Sequence, residues 1–321
     1  MSEESRPPVV AIVGPTAVGK TELALRLAHS FHLEVVSADS RQIYRGMDIG
    51  TAKPGPAERS RVPHHLVDVL EPDRTLTLAE YQELACAAID DIFARGKLPL
   101  IVGGTGLYVR AVIENWLIPR VAPDLELRDQ LEAEAREDGG GRLYRRLQQV
   151  DPAAAAKIHP RNVRRVIRAL EVYLVSGRPI SHQQRRGVPR YDAFVLGLSA
   201  PRPVLYLRAD ERVDRMIGGG LVEETRALLA AGYSADSPAL SGLGYKQVIG
   251  YLRGEYDLGE AVRRIKTGTH RYIRQQYTWF RPDDERIHWL TQPVATPVAA
   301  VAILTHLGEQ GDAYVRRGGC D

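Results

Sequence analysis

The chain has 321 residues, of which 44% are apolar and 26% are charged, and its formal net charge is +3. These proportions are those of ordinary globular proteins and exclude collagen-like, fibrous and wholly disordered chains. The chain has only two cysteines, Cys86 and Cys320, and no apolar run of about 18 residues, so a disulfide framework, a zinc site and a membrane-spanning segment are not expected. We therefore expect a protein of a reducing, cytoplasmic compartment.

The N-terminal part of the chain alternates short apolar runs with amphipathic segments. Residues 9–13, a Val- and Ile-rich run that ends at Gly14 and Pro15, predict a buried parallel strand. The next predicted elements are a helix over 20–31, a strand over 34–38, a helix over 79–95 and a strand over 98–102. Such alternation indicates an α/β fold with a parallel sheet flanked by helices.

The pattern changes between residues 119 and 191. Residues 124–176 contain no strand-like run and predict helices rich in Arg, Glu and Leu. The earlier pattern then resumes, with a predicted strand over 194–198 and predicted helices over 204–216, 221–231, 259–279 and 298–307. We therefore divide the chain into an α/β core of residues 1–118 and 192–321 and a helical insertion of residues 119–191.

Positive charge is concentrated in two segments. Residues 139–170 carry a local charge of +7 and residues 261–281 one of +6, so the remainder of the chain must be acidic. Two basic segments on an acidic body favour a polyanionic partner that binds at a defined place. The alternative is that these segments are only solvated faces of helices.

Residues 14–21 match the phosphate-loop pattern G-x-x-x-x-G-K-[ST] between a predicted strand and a predicted helix. In such a loop, backbone N–H groups cradle phosphate, the lysine adds a positive charge and the hydroxyl group can bind Mg²⁺. We assign Thr21 as the metal ligand, and the phosphate-binding residues are Gly14, Pro15, Thr16, Ala17, Val18, Gly19, Lys20 and Thr21. The fold class that follows is a P-loop NTPase-like parallel sheet flanked by helices, with a helical insertion domain.

The motif alone leaves the chemistry at this loop open. The predicted strand at 98–102 is followed by Gly103 and Gly104, where an NTPase usually carries an acidic residue for Mg²⁺. Two interpretations remain at this point. One is a small-molecule or nucleoside kinase that binds ATP, and the other is a transferase that holds a different diphosphate.

Asp39 is a candidate for proton transfer. It follows the predicted strand at 34–38, so it belongs at the carboxyl edge of the sheet beside the phosphate loop. A carboxylate there could accept a proton from a nucleophile, or it could serve only to cap the following turn. Residues 103–106, with the sequence Gly-Gly-Thr-Gly, form a second loop at the same edge.

Seven segments occur in order over most of residues 9–281: 14–24 (GPTAVGKTELA), 38–54 (ADSRQIYRGMDIGTAKP), 62–68 (VPHHLVD), 103–108 (GGTGLY), 165–173 (RVIRALEVY), 240–247 (LSGLGYKQ) and 278–281 (TWFR). They resemble segments of the tRNA dimethylallyltransferase family, of the bacterial type. The resemblance implies transfer of a dimethylallyl group from dimethylallyl diphosphate to N6 of adenosine-37, the base 3′ to the anticodon in tRNA. It also implies that the phosphate loop holds the diphosphate of the donor, which accounts for the missing acidic residue.

The resemblance assigns roles to individual residues of the reaction. Asp39 would accept the proton of the adenine amine as the C–N bond forms. Thr16 and Arg212 are the other implied catalytic residues, and with Lys20 and Mg²⁺ on Thr21 they would stabilise the leaving diphosphate. From the sequence alone, a surface arginine on an amphipathic helix is the favoured interpretation of Arg212.

The resemblance also implies a tRNA-binding surface. The target base must leave its stack to react, and the basic insertion would hold the anticodon stem-loop through its phosphates. The residues at family positions that contact tRNA are Asp39, Ser40, Arg41, Gln42, Thr105, Arg128, Arg164, Arg165, Val166, Ile167 and Arg168. No membrane and no obligate protein partner is implied.

Three other functions share parts of this pattern. A prenyltransferase that acts on AMP or a related mononucleotide would use the phosphate loop and Asp39 but would not need the basic insertion. A P-loop kinase would bind ATP and leave the insertion unexplained. A non-catalytic RNA-binding module would have no use for a phosphate cradle beside an acid.

Overall fold

The computed structural model describes residues 6–316. The contacts divide the chain into two units, a core unit that runs to Ile113 and resumes at Arg190, and an insertion unit, Glu114–Pro189. The sequence placed the insertion at 119–191. Within the described residues, no helix is both long enough and apolar enough to cross a membrane.

A six-stranded sheet forms the centre of the core unit. The strands within residues 6–316 are β1 (Pro8–Val13), β2 (Leu33–Ser37), β3 (His64–His65), β4 (Leu98–Val102), β5 (Trp116–Leu117), β6 (Arg185–Arg186), β7 (Asp192–Ser199) and β8 (Ile287–Thr291). The sheet order is β3-β2-β4-β1-β7-β8, and all five pairings are parallel. The predicted α/β class with a parallel sheet is therefore confirmed.

Helices connect these strands, as a parallel sheet requires. Their bounds are α1 (Lys20–Leu27), α2 (Pro56–Arg61), α3 (Leu78–Ala94), α4 (Gly106–Ile113), α5 (Leu125–Asp138), α6 (Gly141–Val150), α7 (Pro152–Ala155), α8 (Val163–Ser176), α9 (Ile180–Gln183), α10 (Arg202–Gly218), α11 (Leu221–Ala230), α12 (Tyr245–Leu252), α13 (Leu258–Gln276) and α14 (Thr296–Leu307). A 3₁₀ helix, Gly308–Tyr314, follows α14.

The central strand β1 has a core on each side, because successive side chains of a strand point to opposite faces. Val10 and Ile12 pack into a cluster with residues of α1 and α14, whereas Val9, Ala11 and Val13 pack into a second cluster with residues of α3 and α4. All five side chains are essentially inaccessible to solvent. This double burial explains the unbroken apolar run and fixes the loop that follows β1 at the carboxyl edge of the sheet.

Most of the predicted elements lie where the sequence placed them. β4 has the predicted bounds, β1 and β2 differ by one residue at the ends, and the predicted helix at 20–31 ends earlier, at Leu27. The sequence analysis missed β8, α4 and α12. These are short elements of five to eight residues, and their ordering depends on packing against the rest of the core unit.

The insertion unit is helical, as predicted for residues 124–176. Helices α5 to α8 pack around a core of Leu131, Leu143, Leu147, Leu170 and other buried apolar side chains. β5 and β6 pair antiparallel next to the two chain connections of this unit. The unit therefore has a hydrophobic core of its own.

Candidate active site

The loop after β1 is shaped for an anion. Gly14 has φ 134°, and a Cβ there would lie 2.4 Å from the backbone oxygen of Leu198, so only glycine fits. Ala17 and Gly19 also have positive φ, 65° and 97°. Gly19 immediately precedes α1, whose first residue is Lys20. The backbone N–H groups at this helix N-terminus form the kind of cradle that binds phosphate.

Lys20 reaches back over the loop. Its Nζ atom donates hydrogen bonds to the backbone oxygens of Gly14 at 3.0 Å and Pro15 at 2.8 Å. Burial of the ammonium group and the nearby Arg212 charge lower its pKa to about 7, while the Asp39 carboxylate acts in the opposite direction. A bound diphosphate would place negative charge beside this ammonium group and raise its pKa.

Arg212, on α10, belongs to the same site. Its Nη1 atom donates to the Thr16 hydroxyl at 3.3 Å. Burial and the neighbouring Arg215 lower the pKa of the Arg212 guanidinium, and the Asp39 charge opposes this shift. Arg212 is thus not a surface arginine, because its guanidinium points into the site beside Thr16. Its catalytic role stays a prediction.

Asp39 lies in the turn that follows β2. Its Oδ1 atom accepts the backbone N–H of Arg41 at 2.8 Å, so it does cap this turn. The same turn contacts the loop after β4, because the Ser40 N–H donates to Thr105 Oγ1 at 3.2 Å and the Thr105 N–H donates to Ala38 O at 3.1 Å. These bonds hold Asp39 and Thr105 side by side at the carboxyl edge of the sheet.

Arg41 and Gln42 are both bound within the core unit. The Arg41 guanidinium donates to the backbone oxygens of Pro238 and Ala239. Gln42 accepts the Ser37 hydroxyl at 3.1 Å, and its amide group donates to the oxygens of Thr51 and Ala52 at 3.4 and 3.2 Å. These two side chains therefore shape the wall around Asp39.

The wall segment, residues 48–54, is anchored from two sides. Lys53 is almost fully buried and donates to the carboxylates of Asp48 and Asp68, each at 2.5 Å. On the other side, the Glu224 carboxylate on α11 accepts three consecutive backbone N–H groups, those of residues 48 to 50, at 2.8 to 3.1 Å. Glu224 also accepts the Tyr245 hydroxyl at 2.6 Å.

Several of these groups line one cavity of about 750 Å³. It brings together the phosphate loop with Lys20 and Thr21, the Arg212 guanidinium and the Asp39 carboxylate. Two further arginines of α10, Arg208 and Arg215, also line it, as does the wall segment. The cavity can therefore hold an anionic group at one end and offer a proton acceptor near it.

Two residues of α13 were missed in the sequence analysis. Tyr272 lies by Thr105 and Asp39, and desolvation together with the Asp39 charge raises the pKa of its phenol to about 12. Gln276 is 3% exposed and hydrogen-bonds the Thr16 N–H and the Gly104 oxygen. For Gln276, the signal available in the sequence was its place on one face of the helix: it continues the buried stripe of Ile265, Thr269 and Ile273 at helical spacing.

Thr21 is the candidate metal ligand. The described residues contain no group of His, Cys, Asp and Glu side chains that could hold an ion by themselves. One hydroxyl group beside a phosphate cradle nevertheless suits Mg²⁺, which is commonly held by few protein atoms together with substrate phosphates and water. The donor set therefore fits Mg²⁺ as a companion of a bound diphosphate.

The candidate tRNA contacts of the insertion unit differ in exposure and in their partners, and they form three groups. Arg128 and Arg168 both bind the fully buried Glu171, at 2.8 and 2.5 Å. Val166 and Ile167 are 1% and 4% exposed and belong to the core of the unit, so their side chains support helix α8 and present no surface to a partner. The remaining two, Arg164 and Arg165, are exposed on α8.

Comparisons with known proteins identify the family of this chain. The IPP transferase family model matches residues 42–283, and an Isopentenyl transferase model matches residues 7–69. The tRNA dimethylallyltransferase of Roseiflexus sp. strain RS-1 is 55% identical over 274 residues, which are 85% of this chain and 90% of that protein. The corresponding protein of Thermomicrobium roseum is 53% identical over 290 residues, 90% of this chain and 88% of its own.

Solved structures give the same result. The crystal structure of a tRNA isopentenylpyrophosphate transferase from Bacillus halodurans is 40% identical with a TM-score of 0.70, and the match covers 96% of this chain and 97% of the other. A eukaryotic dimethylallyltransferase acting on tRNA is 26% identical with a TM-score of 0.77, over 93% of this chain and 79% of the other. The family predicted from the sequence is thereby confirmed, and the chain belongs to the IPP transferase family.

Proposed function

We propose that this protein transfers the dimethylallyl group of dimethylallyl diphosphate to N6 of adenosine-37 in tRNA. The observation that carries the proposal is the single cavity in which the phosphate loop, Arg212 and the Asp39 carboxylate meet. Kinship with tRNA dimethylallyltransferases supplies the substrates. Since its acceptor is tRNA, we also place the protein in the cytoplasm.

The donor's diphosphate binds at the cationic end of the cavity. The backbone N–H groups of the phosphate loop and the Lys20 ammonium group hold its oxygens, with Arg212 next to them through the Thr16 hydroxyl. Negative charge grows on the diphosphate as the allylic C–O bond breaks. Fixed cations in a partly buried site stabilise this charge more than water does, which favours the transition state.

Asp39 completes the reaction at the acceptor. The N6 lone pair forms the new C–N bond, the electron pair of the C–O bond leaves with the diphosphate, and Asp39 takes one N6 proton. The Oδ1 atom of Asp39 is bound by the Arg41 N–H, so Oδ2 is the oxygen that we assign to proton transfer. Lys20 and Arg212 lie near enough to this carboxylate for its charge to act on both of them.

Mg²⁺ is the metal that we propose for this site. Thr21 would hold it at the start of α1, with the remaining ligands from the diphosphate and water. When bound, the ion would neutralise part of the diphosphate charge as that group leaves.

The insertion unit is proposed to bind the anticodon stem-loop. Arg164 and Arg165 are exposed and free to contact phosphates, whereas Glu171 holds Arg128 and Arg168 in fixed directions. Phosphate contacts of this kind give affinity with little base specificity and a steep dependence on salt. The specificity for one adenosine would come from the cavity, where residues near Asp39 and Thr105 read the flipped base.

The test is direct product analysis. The purified protein is incubated with Mg²⁺, dimethylallyl diphosphate and an anticodon stem-loop RNA, and the RNA is weighed by mass spectrometry. We expect a gain of one dimethylallyl group, which disappears when adenosine-37 is replaced by guanosine. The Asp39→Asn variant is the matched control for background transfer. An unmodified RNA, both as stem-loop and as full-length tRNA, would refute the proposal.

A mononucleotide acceptor is the competing function, because it would use the same phosphate loop and Asp39 carboxylate. The same incubation with AMP in place of RNA distinguishes the two. Prenylated AMP without prenylated RNA would select the competitor and leave the exposed basic face of the insertion unit without a role.

A further inference from the structure

Gln276, the last residue of α13, joins two loops of the cavity. Its Oε1 atom accepts the backbone N–H of Thr16 at 2.7 Å, and its Nε2 atom donates to the backbone oxygen of Gly104 at 3.1 Å. The first bond spans 260 positions of sequence and the second 172. One buried amide group thus connects the phosphate loop to the Gly-Gly-Thr-Gly loop at the acceptor side.

Gly104 leaves the space that this amide group occupies. A Cβ atom on Gly104 would lie 2.1 Å from Nε2 of Gln276, whereas the nearest atom outside that side chain is the Gly14 oxygen at 3.7 Å. The backbone of Gly104 lies outside the left-handed region, so its conformation alone does not require glycine. A side chain at residue 104 would therefore displace the Gln276 amide group from its two hydrogen bonds.

The two bonds need both halves of an amide side chain. Glutamine offers an acceptor and a donor together, whereas an ionised glutamate only accepts and a lysine only donates. The bond to the Thr16 N–H also removes this N–H from the set that can hold the diphosphate. Thr16 is left to act through its hydroxyl group, which already accepts a hydrogen bond from Arg212 at 3.3 Å.

We propose that Gln276 is a positioning residue of the transfer reaction. It holds the Thr16 backbone and the Gly104 loop at a fixed separation. The donor bound at the phosphate loop and the acceptor base then lie at the distance and orientation that the transfer needs. Gln276 itself is 3% exposed and acts through these two loops. This inference rests on the proposed function, because the relative position of the two loops matters for transfer only if both substrates react in the cavity.

The experiment compares transfer kinetics of four variants with the wild-type protein: Gln276→Ala, Gln276→Glu, Gly104→Ala and the double variant Gly104→Ala/Gln276→Ala. The matched control is Thr225→Val on α11, which also removes one fully buried hydrogen bond but lies outside the cavity lining. For each protein, kcat and the KM values for donor and stem-loop RNA are measured, and folding is checked by circular dichroism.

We expect Gln276→Ala to lower kcat by about 10- to 100-fold, as small misplacements of reacting groups do, while KM for the RNA stays near the wild-type value. Gln276→Glu should lower kcat as well and also raise KM for the donor, because it adds negative charge beside the phosphate loop. Thr225→Val should keep the wild-type kcat. Gly104→Ala should be at least as slow as Gln276→Ala, and the double variant no slower than Gln276→Ala, because the added methyl group then has room.

Three results would overturn the proposal. One is a wild-type kcat in both Gln276 variants, another is a double variant whose loss equals the product of the two single losses, and the third is an equal loss of kcat in Thr225→Val. If the Gly104 variants do not fold, the two Gln276 variants decide the matter by their kcat alone. An inactive wild-type protein would instead refute the proposed function, so the two failures are distinguishable.

Discussion

Lys20 makes donor binding dependent on pH in a range that is easy to measure. Burial and the Arg212 charge lower its pKa from the ordinary 10.5 to about 7, and a bound diphosphate raises it again. Binding is therefore linked to protonation of Lys20, and affinity decreases as pH rises above 7. The protonated fraction falls from about one half at pH 7 to about 3% at pH 8.5, so Kd should rise roughly 10- to 20-fold.

The pH dependence of Kd can be measured by calorimetry with isopentenyl diphosphate, an isomer of the donor. No reaction takes place, because the C–O bond of this isomer is not allylic. The last ionisation of its terminal phosphate is expected near pH 6, as for phosphate esters, so the ligand's own charge changes little between pH 7 and 8.5. Lys20→Arg is the control. Its guanidinium stays charged, so binding should be weaker but independent of pH over this range. A constant Kd for the wild-type protein, or the same slope in Lys20→Arg, would refute the assignment.

Three further substitutions test other parts of the molecule. Asp39→Asn keeps an oxygen for the Arg41 N–H but cannot take up a proton, so kcat should fall at least about 100-fold. Near-normal kcat with donor and RNA still bound would contradict its role as base. Glu224→Gln offers one amide oxygen to four hydrogen-bonding groups, so the wall segment should loosen. In steady-state assays, KM for dimethylallyl diphosphate should rise several-fold. An unchanged KM would show that this anchor is dispensable. Glu171→Gln removes the charge shared by the two partly exposed arginines Arg128 and Arg168. Urea denaturation should show a loss of about 2 kcal/mol in unfolding free energy, and stem-loop RNA should bind more weakly. Unaltered stability would mean that water replaces these two ion pairs at no cost.

The arrangement of the phosphate loop and Asp39 could be predicted from short stretches of sequence. Residues 9–13 must be buried on both faces because they are apolar without alternation, and the loop and helix after them follow from residues 14–21. Asp39 follows the next strand, and the carboxyl ends of parallel strands share one edge. The resemblance of seven segments then pointed to the chemistry, which the family comparisons confirmed.

The contacts that organise the cavity could not be predicted in this way. Gln276 and Glu224 bind backbone groups more than 170 positions away, and a backbone N–H or carbonyl group leaves no trace in the residue type that carries it. Val166 and Ile167 show the reverse case, because their motif suggested a surface for tRNA whereas helix packing turns them into the core of the insertion unit.

The sequence by itself therefore determined the α/β class with a parallel sheet, the phosphate loop and the family, since these depend on local periodicity and on motifs of adjacent residues. The reacting groups that it named stay predictions. Only the tertiary structure decided that Arg212 faces the Thr16 hydroxyl, that Lys20 is desolvated to a pKa of about 7 and that Gln276 joins the two loops. Desolvation and long-range hydrogen bonds depend on which segments pack together, and that is a property of the folded chain as a whole.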